Sequence, residues 1–208
     1  MPILVFRWLV AALAAVPLLY GVLGAFGWLD LGVDPGKELT LLLGQAALGL
    51  LIATLAMTPA KQLWPWAGWL RVRRQLGLWC FFYASTHIVA FLLFILGLDF
   101  SALWTEVLER PYVLVGALAW LALLPLALTS NQRSMRALGK RWKSLHRLIY
   151  LILPLGLLHM LWIVRSDLWD WLLFAVPGVL LLLWRLPAKA AVMRAVTGLR
   201  TVSKQKVS

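Results

Sequence analysis

The chain has 208 residues, of which 62% are hydrophobic and only 13% are charged, and its mean hydropathy is +0.86. Soluble domains carry about 45–50% apolar and about 25% charged residues, so this composition excludes an ordinary soluble globular protein. The net charge of +12 and the pI near 10.7 would suit a nucleic-acid-binding protein, but the placement of the charges argues against that partner. Most of the surface is therefore expected to face lipid.

Six segments approach the roughly 20 apolar residues that a membrane-spanning helix needs. They cover residues 6–29, 39–57, 75–98, 112–129, 145–164 and 171–186. The first could instead be a cleaved signal peptide, but it has only Arg7 as a positive lead, its apolar stretch is too long, and no A-x-A site follows it. The sequence predicts an all-α membrane protein: one six-helix bundle over residues 1–208, with a basic cytoplasmic tail at residues 187–208.

Charge placement predicts the orientation of these spans. All eight acidic residues fall in three connecting segments, at residues 30–38, 99–109 and 167–170. Most of the 20 basic residues fall on the other side, at Arg7, at residues 61–74, at residues 133–147 and from Arg185 onward. The positive-inside rule makes the basic side cytoplasmic, so both termini are expected there. These basic residues are expected to contact anionic lipid head groups and no nucleic acid.

Two of the three histidines lie deep within predicted spans. At 1.5 Å per residue, His87 is about 18 Å and His159 about 21 Å from the cytoplasmic starts of the third and fifth spans. Ionisable side chains at such depth are costly and usually functional. An interhelical hydrogen bond would explain one such histidine, but two at one depth, with no acid in any span, favour metal ligation. Zinc needs four ligands, whereas haem iron needs only two axial ones, so the residues favour haem.

His146 lies at the cytoplasmic mouth of the fifth span, about 20 Å below His159. The third span carries Arg74 at that level, next to Arg73. The two histidines of the fifth span are about 220° apart around an ideal helix, so they share a face only if the helix is kinked or rewound, for example at Pro154. Two roles stay open: His146 ligates a second haem, or it joins the arginines in contacting a haem propionate, a lipid phosphate or a bound anionic cofactor.

Three stretches resemble a known family. They read RVRRQLGLWCFFYASTH at residues 71–87, RPYVLVGALAWLALLPLALTSNQ at residues 110–132 and LGKRWKSLHRLIYL at residues 138–151. Together they resemble the MsrQ (formerly YedZ) family of haem-binding membrane subunits, within the ferric-reductase-like transmembrane group. The family's haem-liganding histidines match His87 and His159, and His146 matches its third histidine. The second span departs from the family: LLGQAAL keeps Gly44 but lacks the arginine of a TGR-like sequence, so no cofactor contact is assigned there.

The resemblance implies an electron-transfer subunit without catalytic residues of its own. It implies haem b and FMN as cofactors and a multi-pass location in the bacterial inner membrane. Electrons would pass from a cytosolic flavin reductase, or from the respiratory chain, to MsrP, a periplasmic molybdopterin enzyme that reduces methionine sulfoxide and so repairs oxidised proteins. Arg73 and Arg74 would contact a haem propionate or, with other inner basic residues, the phosphate of FMN.

Two other functions compete with this interpretation. A quinol-oxidising b-type cytochrome would use the same haem, would take its electrons from membrane quinone and would serve another periplasmic acceptor. A small transporter would need no cofactor. The absence of acids within the spans and of an obvious pair of broken helices counts against the transporter.

Overall fold

A computed structural model describes residues 2–164 and 168–185 of the chain. The described residues form helices and no strands, which confirms the all-α prediction. The helices are α1 (Ile3–Ala25), α2 (Pro35–Leu63), α3 (Gly68–Ala90), α4 (Phe100–Glu109), α5 (Pro111–Leu128), α6 (Gln132–Leu138), α7 (Lys140–Leu145), α8 (Ile149–Ile163) and α9 (Leu168–Leu183). The predicted tail at residues 187–208 lies outside the described residues.

Five helical segments are long and apolar enough to cross a membrane. They are Ile3–Ala25, Pro35–Leu63, Gly68–Ile95, Pro111–Leu128 and Lys140–Ile163. Helix α9 has 16 residues, or about 24 Å at 1.5 Å per residue, which is shorter than the roughly 30 Å of a hydrocarbon core. Five of the predicted spans thus meet the requirement, while the sixth span and the cytoplasmic position of both termini stay predictions.

Two of the spanning helices, α2 and α3, begin several residues before the apolar segments that predicted them. Helix α2 begins at Pro35 because Asp34 caps it, accepting a hydrogen bond from the backbone N–H of Lys37 at 3.0 Å, and because proline is favoured at a first helical position. Helix α3 begins at Gly68 and includes the arginines at 71, 73 and 74. Hydropathy detects the part of a helix in lipid, whereas capping and backbone geometry determine where the helix ends.

A helix in the acidic connection between α3 and α5 was not predicted. Helix α4 lies in the acidic segment, and Asp99 caps it by accepting hydrogen bonds from the backbone N–H groups of Ser101 at 2.9 Å and Ala102 at 3.2 Å. The hydroxyl of Ser101 also donates to this carboxylate, and these bonds hold the pKa of Asp99 below its ordinary value. The sequence could have predicted the start of this helix from Asp99, because aspartate is a favoured N-cap residue.

The fifth span is not one continuous α-helix. A 3-10 turn at His146–Leu148 separates α7 from α8. The change of winding between the two histidines of this span therefore lies at His146 itself, while Pro154 lies inside α8.

Tyr83 joins α1 to α3 through the backbone of α1. Its ring is fully buried, and its hydroxyl donates to the carbonyl of Ala14 at 2.6 Å and accepts from the N–H of Leu18 at 3.0 Å. These two groups are the donor and the acceptor of one i to i−4 pair in α1. Pro17 lies beside them inside α1, and proline disturbs such bonds. The phenol therefore satisfies backbone groups next to the proline in a part of the helix where water is absent.

Two helix pairs, α2 with α3 and α5 with α8, form the most extensive packing in the described part of the chain. Their buried side chains include Leu55, Val72 and Leu153, each with no exposed surface. Helix α9 packs against α2 and α8, and the indole N–H of Trp171 donates to the carbonyl of Leu157 at 2.9 Å. Each pair contains one histidine-bearing helix, α3 in the first pair and α8 in the second.

The orientation and the sixth span can be tested together by cysteine labelling. In a Cys80→Ser background, Val33→Cys is expected to react with a membrane-impermeant maleimide on intact cells, because Val33 is exposed in the acidic connection after α1. Arg136→Cys and Ser208→Cys are expected to react only after the membrane is opened, because the positive-inside rule places both in the cytoplasm. Labelling of Ser208→Cys on intact cells would show that α9 does not cross.

Candidate functional site

The structure brings His87 and His159 together. Their ring centroids are 6.0 Å apart and their planes lie at 88° to each other. His87 lies near the C-terminal end of α3 and His159 near the C-terminal end of α8, and both side chains are partly buried. The sequence predicted that these two residues lie at the same depth, and in the structure they are direct neighbours.

Each of the two imidazoles is held by a backbone carbonyl of a neighbouring helix. The Nδ1 atom of His87 lies 2.8 Å from the carbonyl oxygen of Thr40 in α2, and that of His159 lies 2.7 Å from the carbonyl oxygen of Tyr112 in α5. A carbonyl can only accept a hydrogen bond, so Nδ1 carries the proton in both rings. The Nε2 atom of each ring then keeps its lone pair, which is the arrangement usual in metal-binding histidines.

The distance between the rings fits two axial ligands on one metal ion. Two metal–nitrogen bonds of about 2 Å each, with the extra distance from each nitrogen to its ring centre, place the ring centres about 6 Å apart. Among the described residues there is no group of three or more His, Cys, Asp and Glu side chains that could hold a metal ion. Two nitrogen donors alone suit an iron whose other four positions belong to a macrocycle. The residues present therefore fit a haem.

His146 lies apart from this pair and has partners of its own. The hydroxyl of Thr129 donates to the carbonyl of Pro125 at 2.6 Å, so the His146 Nε2–H donates to that hydroxyl oxygen, at 3.1 Å. The ring of His146 also lies 3.9 Å from the ring of Trp142, at 30°, and this indole donates to the carbonyl of Thr129 at 2.9 Å. These contacts connect the 3-10 turn that precedes α8 to the C-terminal end of α5. They leave Nδ1 as the nitrogen of His146 with a lone pair.

A basic cluster lies at the same end of the bundle as His146. Arg73 is partly buried and close enough to Arg185 and to His146 to interact electrostatically with both, whereas Arg74 is exposed. The guanidinium of Arg185 donates to the hydroxyl of Tyr150 at 2.6 Å and to the carbonyl of Leu55 at 2.6 Å. We call Arg73, Arg185 and His146 the inner basic cluster. The charge pattern had placed Arg185 on this side of the membrane but had given it no part in a site.

Within the described part of the chain, no carboxylate forms an ion pair with this cluster. The ion pair found within residues 2–164 and 168–185 joins Arg110 to Glu106, at 3.0 Å, in and beside α4. The sequence contains no acidic residue between Glu38 and Asp99. Arg73 precedes His87 by 14 positions on α3, or about 21 Å. The inner basic cluster and the histidine pair are therefore two distinct places in the molecule.

Comparisons with known proteins identify the family of the chain. Residues 43–157, more than half of the chain, match the family described as ferric reductase like transmembrane component. The chain is also 42% identical, over 172 residues, to the protein-methionine-sulfoxide reductase heme-binding subunit MsrQ of Pectobacterium carotovorum subsp. carotovorum (strain PC1), in an alignment that covers 82% of this chain and 85% of that relative. The chain therefore belongs to the MsrQ family of ferric-reductase-like transmembrane proteins.

Proposed function

We propose that the chain binds haem b between His87 and His159 and passes electrons across the bacterial inner membrane to a periplasmic MsrP-like methionine sulfoxide reductase. Family membership supports the role, because the printed name of the relative describes a haem-binding subunit of such a reductase. The single observation that carries the proposal is the histidine pair, with ring centres 6.0 Å apart and both Nδ1 atoms hydrogen-bonded to carbonyls.

The protein's own contribution is to bind, orient and insulate. Bound haem would supply a one-electron carrier, whose chemistry belongs to the cofactor. His87 and His159 would hold the haem iron through their Nε2 atoms, and because they lie on two different helices, both α3 and α8 would have to be in place for haem to bind. The surrounding apolar helices exclude water from the ligands and lower the local dielectric, which are two of the ways in which a protein sets a redox potential.

The inner basic cluster is the place we propose for the phosphate of FMN. Arg73 and Arg185 supply guanidinium groups without a carboxylate partner, and His146 lies beside them. Guanidinium groups match phosphate geometry well. Because Arg73 lies about 21 Å along α3 from His87, an anion held there belongs to a group other than the haem between His87 and His159. A second haem ligated by His146 through Nδ1 is the competing occupant of this end.

The arrangement suggests a direction for the electrons. The basic end, which the positive-inside rule places in the cytoplasm, would receive electrons from a cytosolic flavin reductase. The histidine pair lies toward the acidic end, where a periplasmic reductase could dock. Membrane lipids surround the bundle, and quinone remains the alternative donor.

Absorption spectroscopy of the detergent-purified protein tests the proposal. A Soret band that shifts on reduction is expected, and a protein purified from haem-replete cells without that band would contradict the haem assignment. A flavin reductase with NAD(P)H is expected to reduce the haem faster than a quinol analogue does. The opposite order would assign the electron supply to the quinone pool and remove the reason for a flavin.

Neutralising Arg73 tests the flavin site separately. Arg73→Gln is expected to lower the FMN that co-purifies by about tenfold, because a charge-assisted hydrogen bond of about 1.5–3 kcal/mol is lost. Arg136→Gln, which removes an exposed arginine in α6, is the matched control and should retain its flavin. Equal flavin content in both variants, measured by fluorescence after release, would place the phosphate elsewhere.

A further inference from the structure

We propose that Gly44 and Gly116 are positioning residues for the two histidines. Each glycine forms, with a backbone carbonyl one helical turn before it, a cradle that fixes the tautomer and the ring orientation of the imidazole lying on it. This inference rests on the proposed haem site and adds to it residues on α2 and α5, helices to which no ligand belongs.

The first cradle is formed by α2. The Nδ1 atom of His87 lies 2.8 Å from the carbonyl oxygen of Thr40, and the ring lies against Gly44 in the next turn. A Cβ atom added to Gly44 would lie 3.0 Å from Nδ1 and 3.1 Å from Cε1 of His87. Such distances are tighter than ordinary van der Waals contact, so beside an alanine the ring would have to shift by a few tenths of an ångström. The absence of a side chain at Gly44 therefore leaves room for the imidazole to lie this close to the carbonyl of Thr40.

The second cradle repeats this arrangement in α5. The Nδ1 atom of His159 lies 2.7 Å from the carbonyl oxygen of Tyr112, and the ring lies against Gly116 one turn later. A Cβ atom added to Gly116 would lie 2.8 Å from both Nδ1 and Cε1 of His159. This contact is closer than the one at Gly44, so a side chain here requires the ring to move.

The two cradles correspond position by position along the chain. Each histidine follows its carbonyl partner by 47 residues. The first set is Thr40, Gly44 and His87, and the second set, at a constant offset, is Tyr112, Gly116 and His159. The contacts also share their chemistry: a hydrogen bond to Nδ1 and a ring face on a glycine. General close packing of helices would explain a glycine at one contact, but it does not explain the same three-part contact at both ligands.

Fixing the rings in this way has consequences for a bound iron. A hydrogen bond from Nδ1–H raises the basicity of the opposite nitrogen and selects the tautomer that can bind metal. The planes of the two imidazole rings lie at 88° to each other, and the electron paramagnetic resonance spectrum of a low-spin ferric haem held by these rings would respond to that angle. A methyl group at Gly44 or Gly116 would push one ring away from its carbonyl and change that angle.

Alanine substitutions in the full-length haem-loaded protein test the cradles. Gly44→Ala and Gly116→Ala are each expected to shift the g values of the ferric signal and to speed the loss of haem to an apo-globin acceptor by about tenfold or more, the scale for losing an outer-shell partner of a metal-binding histidine. Gly49→Ala is the matched control on α2, because its added Cβ would lie at an ordinary 3.7 Å from Phe174. Spectra and haem-loss rates of both cradle variants equal to those of Gly49→Ala would overturn the inference.

A measurement on the unsubstituted protein covers the case in which a variant does not fold. With ¹⁵N-labelled histidine, the reduced diamagnetic holoprotein is expected to show two Nδ1–H resonances that exchange slowly with water, from His87 and His159. Their absence would overturn the cradles even though haem is bound. A preparation without a Soret band would instead contradict the proposed function, so the two failures are distinguishable.

Discussion

Replacing either His87 or His159 by alanine is expected to abolish the Soret band of the purified protein. Each substitution removes one of two axial nitrogen donors, and the neighbouring described side chains offer no third His, Cys, Asp or Glu to replace it. Loss of an outer-shell partner alone weakens metal binding by about 10–100-fold, and loss of the ligand itself should exceed that. The measurement is the ratio of Soret to protein absorbance after purification with haem in excess.

His146→Ala is the control for this pair of substitutions. His146 donates its Nε2–H to Thr129 and lies next to Trp142, so its removal should leave the haem between His87 and His159 in place. A Soret band of unchanged height in either His87→Ala or His159→Ala would contradict the assignment of the ligand. Loss of about half the haem in His146→Ala would instead indicate a second haem at the inner end of the bundle.

Removing one hydroxyl group at Tyr83 is expected to destabilise the whole bundle. Tyr83→Phe keeps the ring in its fully buried position but leaves the carbonyl of Ala14 and the N–H of Leu18 without the partner they have now. A buried backbone group left unsatisfied costs about 1–3 kcal/mol, and in lipid no water can replace the lost bonds. We therefore expect a clear fall in the midpoint of thermal unfolding in detergent.

Tyr20→Phe is the matched control, because Tyr20 lies on the same helix and is 44% exposed. Substitutions at exposed positions usually change stability by less than about 0.5 kcal/mol. If Tyr83→Phe unfolds at the same temperature as Tyr20→Phe, the hydroxyl of Tyr83 does not stabilise α1. The haem content of Tyr83→Phe at low temperature separates a loss of stability from a direct effect on the site.

The sequence was sufficient to predict the pairing of His87 with His159. Depth along a spanning helix can be counted from the chain, because a helix rises by a constant amount per residue. Two ionisable side chains that are costly to place in lipid and lie at the same depth are then expected to be close to each other, even when the arrangement of the helices is unknown. The contacts that orient the rings could not be predicted in this way, because their acceptors are the backbone carbonyls of Thr40 and Tyr112. Every residue has a backbone carbonyl, so the sequence does not distinguish these two. Gly44 illustrates the limit, because the sequence assigned it no role.

Other differences between prediction and structure have local causes. Helix α4 was not predicted because hydropathy identifies only the segments that lie in lipid. The start of α4 is determined instead by the capping carboxylate of Asp99. Pro154 was considered as one place where the helix could be kinked or rewound, and the structure has in addition a 3-10 turn that begins at His146. The bond from Tyr83 to Ala14 spans 69 residues, and a contact between positions so far apart leaves no periodic pattern in either segment.

The hydrogen bonds between the hydroxyl of Tyr83 and the backbone of α1 also constrain how the protein is made. Helix α1 precedes α3 in the chain, and it contains Pro17 and two neighbouring backbone groups that lipid cannot hydrate. Their partner, Tyr83, is synthesised 65 residues after Leu18. The N-terminal helix therefore reaches its final state only after α3 has been inserted beside it. During biogenesis α1 thus depends on a helix that is made after it, and that later helix is the one that carries His87.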